Sequence, residues 1–104
     1  MKYMCTARPG PLPPSPEQFD AALEWLQAEL DDGTLDCLYG FLEGGGVAIA
    51  NADSHTQALQ QMTEYPLYGL VTWEVTPLLA FGEGDQIIRA KLAEAQAAMG
   101  GAAA

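Results

Sequence analysis

The chain has 104 residues, 49% hydrophobic and 17% charged, with 4 Lys plus Arg against 14 Asp plus Glu and a formal net charge of −10. That length gives one domain with a single core, burying roughly 65% of the unfolded surface. Four cations are too few to grip a phosphate backbone or an anionic membrane surface, so neither is an expected partner, and carboxylates scattered through apolar segments exclude a disordered acidic tail.

In chain order, Lys2 to Arg8 reads as a first strand. The cluster Pro9-Gly10-Pro11-Leu12-Pro13-Pro14 closes it, because proline removes the donor that a sheet or helix needs, and makes a stiff surface connection. A helix start follows. Ser15 suits the N-cap, Pro16 the first helical position, and Glu17 and Gln18 the first turn, with a capping box in prospect. Phe19, Leu23, Leu26 and Leu30 then form one apolar stripe at helical spacing, and Asp32-Gly33 ends the helix.

Thr34 to Leu42 is expected as a second strand and Val47 to Ala50 as a third, joined by Glu43-Gly44-Gly45-Gly46. This glycine run joins two strands and lacks a following Lys-Ser/Thr, so it reads as a hairpin turn rather than a phosphate cradle. Asp53 or Ser54 caps a second helix with Ala58, Leu59 and Met62 inward, and Pro66 bounds it. Tyr68 to Leu78 has the β-branched and aromatic composition of a fourth strand. A third helix runs from about Asp85 to Met99 with the stripe Ile88, Leu92, Ala95 and Met99, and Gly100-Gly101 stops it. One domain over 1–99 and a flexible tail over 100–104 are therefore expected.

This order, β-α-β-β-α-β plus a C-terminal helix, predicts an α+β ferredoxin-like fold with a four-stranded antiparallel sheet. Two helices cover one face of such a sheet and leave the other bare. Because that bare face is expected to carry Leu70 or Val71, burial against a second copy, as a homodimer or larger ring, is the simplest solution. Cys5 and Cys37 are too few for a disulfide framework and sit in apolar runs as free thiols. The first residues lack a secretory h-region, and no stretch approaches the ~18 apolar residues of a membrane span, so a reducing, cytoplasmic setting is expected.

Three segments carry a resemblance: Val47-Ala48-Ile49-Ala50-Asn51-Ala52-Asp53-Ser54, then Tyr65-Pro66-Leu67-Tyr68, then Trp73-Glu74-Val75-Thr76-Pro77-Leu78. Their order and spacing resemble the muconolactone isomerase family, without a gap from about Gly33 to Ala80 and more loosely before it. The resemblance implies a dimeric α+β barrel, no cofactor, and a proton shift that moves a double bond in an unsaturated lactone acid. Family members typically carry Arg and His among tryptophans on strand two. Here that run is Leu35-Asp36-Cys37-Leu38-Tyr39-Gly40, without a base and with an acid in place. A substrate carboxylate would meet repulsion there, which directs expectation to an uncharged or weakly charged organic substrate.

Glu74 lies mid-strand, and a carboxylate in a largely apolar barrel has a raised pKa that suits proton shuttling; the alternative is a cross-sheet ion pair with Arg8 or Lys2. Asp36 is either a second inward carboxylate or a solvated edge-strand guard. Glu74 and Asp36 are thus the candidate catalytic groups, with Tyr39, Arg8 and Tyr68 as candidate substrate contacts. His55 directly follows Ser54 at a helix start, where Asp53, Ser54 and His55 cannot converge as a triad. One His and two separated Cys give no metal-ligand spacing, and Cys37 has no base beside it to make a thiolate. The reading is an isomerase-like, cofactor-free proton transfer on a small molecule. Its alternatives are a cofactor-independent monooxygenase or cyclase of polyketide-type metabolites in secondary metabolism, or a non-catalytic ligand-binding barrel.

Overall fold

A computed structural model describes residues 1–103, with side chains to Gly100. The elements in order are β1 (Lys2–Pro9), α1 (Pro16–Asp31), β2 (Leu35–Gly40), β3 (Gly46–Asn51), α2 (His55–Glu64), a single 3-10 turn (Tyr68–Leu70), β4 (Val71–Leu78) and α3 (Asp85–Ala103). The four strands form one antiparallel sheet in the order β2-β3-β1-β4, so the expected α+β ferredoxin-like architecture is found.

Local chemistry accounts for the helix starts. The Ser15 side chain accepts from the Gln18 backbone N–H at 3.1 Å while the Gln18 side chain accepts from the Ser15 N–H at 2.8 Å, a reciprocal capping box. Ser54, not Asp53, caps α2, accepting from the Gln57 N–H at 3.0 Å.

Several boundaries differ from expectation. The segment Tyr68–Leu70 turns instead of extending, and β4 starts at Val71. Here the Trp73 indole N–H donates to the Tyr68 carbonyl at 3.0 Å, a contact that a continuous strand would not permit. Strand β2 is shorter than Thr34 to Leu42, and its register against β3 shifts between Leu35 and Cys37, a bulge that turns Asp36 aside. Leu42 falls in the turn, fully exposed. Strand β1 extends to Pro9, which is tolerated because its pairing with β3 already ends at Ala7. Helix α3 runs through Gly100-Gly101 to Ala103 instead of stopping, and Ala104, the end of the expected tail, lies outside the described residues.

The register sorts the side chains. Lys2, Met4, Thr6 and Arg8 pair with Leu78, Thr76, Glu74 and Thr72 on β4, and the first three with Asn51, Ile49 and Val47 on β3; these share one face. Tyr3, Cys5 and Ala7, with Ala48, Ala50, Val71, Trp73 and Val75, share the other. The buried residues lie on the second face and on the helices over it: Tyr3 with Ala52 and Ala58, and Leu35 with Ala48 and Ala50. The bare face was expected to carry Leu70 or Val71. Instead both lie with the helix side, and β4 gives the open face Thr72, Glu74, Thr76 and Leu78. Leu59, expected inward on α2, is exposed.

Candidate functional site: an apolar cavity between helices and sheet

Helices α1 and α2 stand over the sheet and enclose a cavity of about 680 Å³. The floor is Cys5 and Ala7 of β1, Ala48 and Ala50 of β3, and Val71 and Trp73 of β4. Small residues on the central strands leave this volume empty, since large side chains there would fill it. Helix α1 contributes Phe19, Leu23, Trp25 and Leu26, and α2 contributes Ala58, Gln61, Met62 and, at its end, Tyr65. The proline-rich connection forms the rim through Leu12, Pro13 and Pro14. It is fixed there because the Gly10 N–H donates to the Leu70 carbonyl at 3.0 Å, an approach so close that a Cβ at Gly10 would stand 2.6 Å from that oxygen.

One side of the wall is aromatic. Trp25 and Tyr65 have ring centroids 5.5 Å apart, and Tyr65 meets Trp73 edge-on at 5.6 Å and 77°. Such tilted and edge-to-face contacts hold flat surfaces in fixed orientation. Burial pushes the Tyr65 phenol above its ordinary pKa and does the same to the Cys5 thiol, so both are neutral donors at neutral pH. Gln61 adds an amide. No charged side chain lines this cavity among the described residues. A ligand carboxylate entering it would lose its water without gaining a counter-ion, a cost of several kcal/mol in the general case.

Most of the residues singled out in the sequence lie outside this cavity. Glu74 is exposed on the open face, next to Thr6 in register, and takes no part in the ion pairs found among the described residues. Both expected cation partners are engaged otherwise: Lys2 with Asp36 at 2.5 Å, and Arg8 with Glu43 at 3.1 Å while its guanidinium lies 4.9 Å over the Phe41 ring. Tyr39 stands on the cavity's edge strand, 69% exposed, and pairs in register with Val47 of the open face. Tyr39, Val47, Thr6 and Glu74 thus form one cross-sheet row with its ends about 14 Å apart, three strand spacings. Asp36 is held below the usual carboxylate range by hydrogen bonds from Lys2 and Asn51. Tyr68 alone turns to the helix side, tilted against Trp73 at 6.0 Å. So Glu74, Asp36 and Arg8 stand on the open face, well apart, with Asp36 at the Lys2 end of β1 and Arg8 at the other, while Tyr39 stands at the cavity's edge.

His55 opens α2 and is exposed, and its Nδ1 lies 2.5 Å from the buried Tyr3 hydroxyl. Cys5 and Cys37 are free and half-buried. Among the described residues, no group of His, Cys, Asp or Glu has the geometry of a metal site, and no helix is long and apolar enough to cross a membrane. The cavity wall itself was missed in the sequence. Its one available signal was the pairing of small β-strand residues (Ala7, Ala48, Ala50) with aromatics at Trp25, Tyr65 and Trp73.

The chain is similar in structure to two solved proteins. One is muconolactone isomerase, with a TM-score of 0.67 at 16% identity over 77% of this chain and 90% of that one. The other is 5-chloro-2-hydroxyhydroquinone dehydrochlorinase (TftG) from Burkholderia phenoliruptrix, in complex with 2,5-dihydroxybenzoquinone, with a TM-score of 0.60 at 14% identity over 76% and 94%. No family model and no curated protein matches the sequence. The resemblance read from Val47 to Leu78 is therefore matched at the level of fold.

Proposed function

We propose that the protein binds a neutral, flat, largely apolar organic molecule in the cavity between α1, α2 and the sheet. The observation that carries this reading is the wall: aromatic and aliphatic side chains, with neutral donors at Tyr65, Cys5 and Gln61, and no charge. Burial of aromatic surface supplies affinity, and the few polar groups fix orientation. Titration with a neutral naphthol, followed by quenching of Trp25 and Trp73, tests it. Saturable binding is expected, and a naphthalene carboxylate of the same size should bind at least tenfold more weakly. Equal affinity for the two, or no binding by either, would overturn the reading.

A second reading is cofactor-free proton transfer of the isomerase type, with Glu74 and Asp36 as candidate bases and Arg8, Tyr39 and Tyr68 as substrate contacts. It is favoured by the exposure of Glu74, Asp36 and Arg8 on one open sheet face, and by an isomerase and a dehydrochlorinase among similar structures. In this reading two copies meet through their open faces as a homodimer, and the carboxylates lie inside the resulting barrel. Turnover that survives both Glu74→Gln and Asp36→Asn would eliminate it.

A further inference from the structure

Helix α2 turns one face to the cavity through Ala58, Gln61, Met62 and, at its end, Tyr65. That spacing is the ordinary inward stripe of a helix, which apolar residues normally fill. Gln61 breaks the pattern. It is half-buried among these neighbours, and an amide removed from water is costly unless a partner meets it. The side-chain hydrogen bonds at α2 run through Ser54, His55, Gln57 and Thr63, and the Gln61 amide enters none of them.

Gln61 also borders a second space. It lines both the cavity and a separate polar hollow of about 310 Å³, and among the described residues it is the only one common to the two. The hollow is walled further by Met1, Asp32, Thr34, Ala52, Asp53 and Gln57. Several of its polar groups are already engaged. Asp32 accepts from the Thr34 N–H at 2.8 Å, the Met1 ammonium donates to the Ala52 carbonyl at 2.9 Å, and the Gln57 side chain accepts from the Asp53 N–H.

The register sets the hollow and the cavity rim apart. The hollow lies at the end of the sheet where Lys2 pairs with Asn51, and the rim at the other, where Pro9 faces Val71. These ends of β1 are about 24 Å apart, seven residue steps. Cavity and hollow thus succeed one another along the sheet, with Gln61 at the junction. A cavity of about 680 Å³ has the size of sites that hold drug-sized molecules, longer than two fused rings. The amide narrows the chemistry. It presents an N–H donor and a carbonyl acceptor, and a hydroxyl, which both donates and accepts, can satisfy the two. A carboxylate would use the donor alone and would stand beside Asp32 and Asp53.

We infer that the bound molecule is elongated, with a flat apolar body in the cavity and an uncharged, hydroxyl-ended tail that passes Gln61 into the polar hollow. Gln61 is the positioning residue that decides which end of the molecule lies deepest. This rests on the binding reading above and adds to it the ligand's shape, its polar end and its direction.

The test compares two neutral probes of equal length, 2-(2-naphthyloxy)ethanol and 2-ethoxynaphthalene, which differ only in the terminal hydroxyl. The full chain should bind the alcohol at least fivefold more tightly, and Gln61→Met, which keeps the length of the side chain, should bring that ratio to about one. In the unaltered protein, the Gln61 side-chain amide signal, assigned by its loss in Gln61→Met, should shift on saturation with the alcohol. The backbone amides of Thr34 and Ala52 in the hollow should shift more with the alcohol than with the ether. Equal affinity for the two probes, a ratio that survives Gln61→Met, or a Gln61 signal unmoved by the alcohol would each overturn the inference. Saturable binding of 2-naphthol beside any of these results leaves the binding reading standing, whereas failure of all three naphthalenes to bind sinks both.

Discussion

Lys2 and Asp36 are joined across a strand that lies between them. The Lys2 Nζ is 2.5 Å from the Asp36 Oδ2, yet β1 and β2 are not neighbours, and β3 separates them. Asn51 of β3 completes the link. Its Oδ1 accepts from Lys2 at 2.8 Å, and its Nδ2 donates to Asp36 at 2.7 Å and to the Gly33 carbonyl at 3.1 Å. The bulge at Asp36 makes this geometry possible by moving that side chain out of strict alternation.

This clasp has a defined pH dependence. The folded pKa of Asp36 is depressed, first by the Lys2 hydrogen bond and then by that of Asn51. A depressed carboxylate contributes stability that is present above its unfolded value, near 3.9, and is lost as pH falls through the folded value. Urea unfolding should therefore place Asp36→Asn below the wild type at pH 7, with the gap closing below about pH 4. Lys2→Met should raise the Asp36 titration midpoint in carboxyl-carbon NMR.

Cys5 reports on the cavity. Burial raises its thiol pKa, and it lies in the cavity floor. Because the thiolate is the reacting species, modification by an aromatic disulfide reagent at pH 8 should be several-fold slower in the folded Cys37→Ser variant than in urea. A neutral naphthol at saturation should slow it further. A rate indifferent to naphthol would place the ligand elsewhere.

The helix cap at Ser15 is separable from the cavity. Ser15→Ala removes the acceptor for the Gln18 N–H and should cost about 1 kcal/mol in chemical denaturation. Ser15→Asp keeps an acceptor at the N-terminus and should recover most of the loss.

Gly45 is predicted to resist substitution. Its φ is +81°, and a Cβ there would collide with the Ala7 carbonyl oxygen of β1. Gly45→Ala should destabilise by about 1–3 kcal/mol, because both strain and displacement of a strand backbone are involved. Gly33→Ala, at φ +84° but with open space around it, should cost less.

Local signals were legible where local physics decides. The Ser15 and Ser54 caps, the stiff Pro9–Pro14 connection and the β-rich composition around Trp73 each depend on residues a few positions apart, and the element order that they imply is the one found. Even so, Tyr68–Leu70 turned although its composition suits a strand, because the Tyr68 carbonyl is used by the Trp73 indole. The face of Glu74 could not be read, since a one-residue change in where β4 begins or pairs reverses which side each residue occupies.

The acid excess was fixed by the sequence alone, and with it the expectation that polyanions are not partners. Only the tertiary structure decided where that charge does not go. The strand register turns Glu74, Asp36 and Arg8 to the open face, and Ala7, Ala48 and Ala50 leave a hollow on the other, ringed by Trp25, Tyr65 and Trp73. The reason is one of range. Capping, turn chemistry and net charge are sums over neighbours in the chain, whereas a cavity is the volume left over when segments distant in sequence pack with side chains too small to fill it.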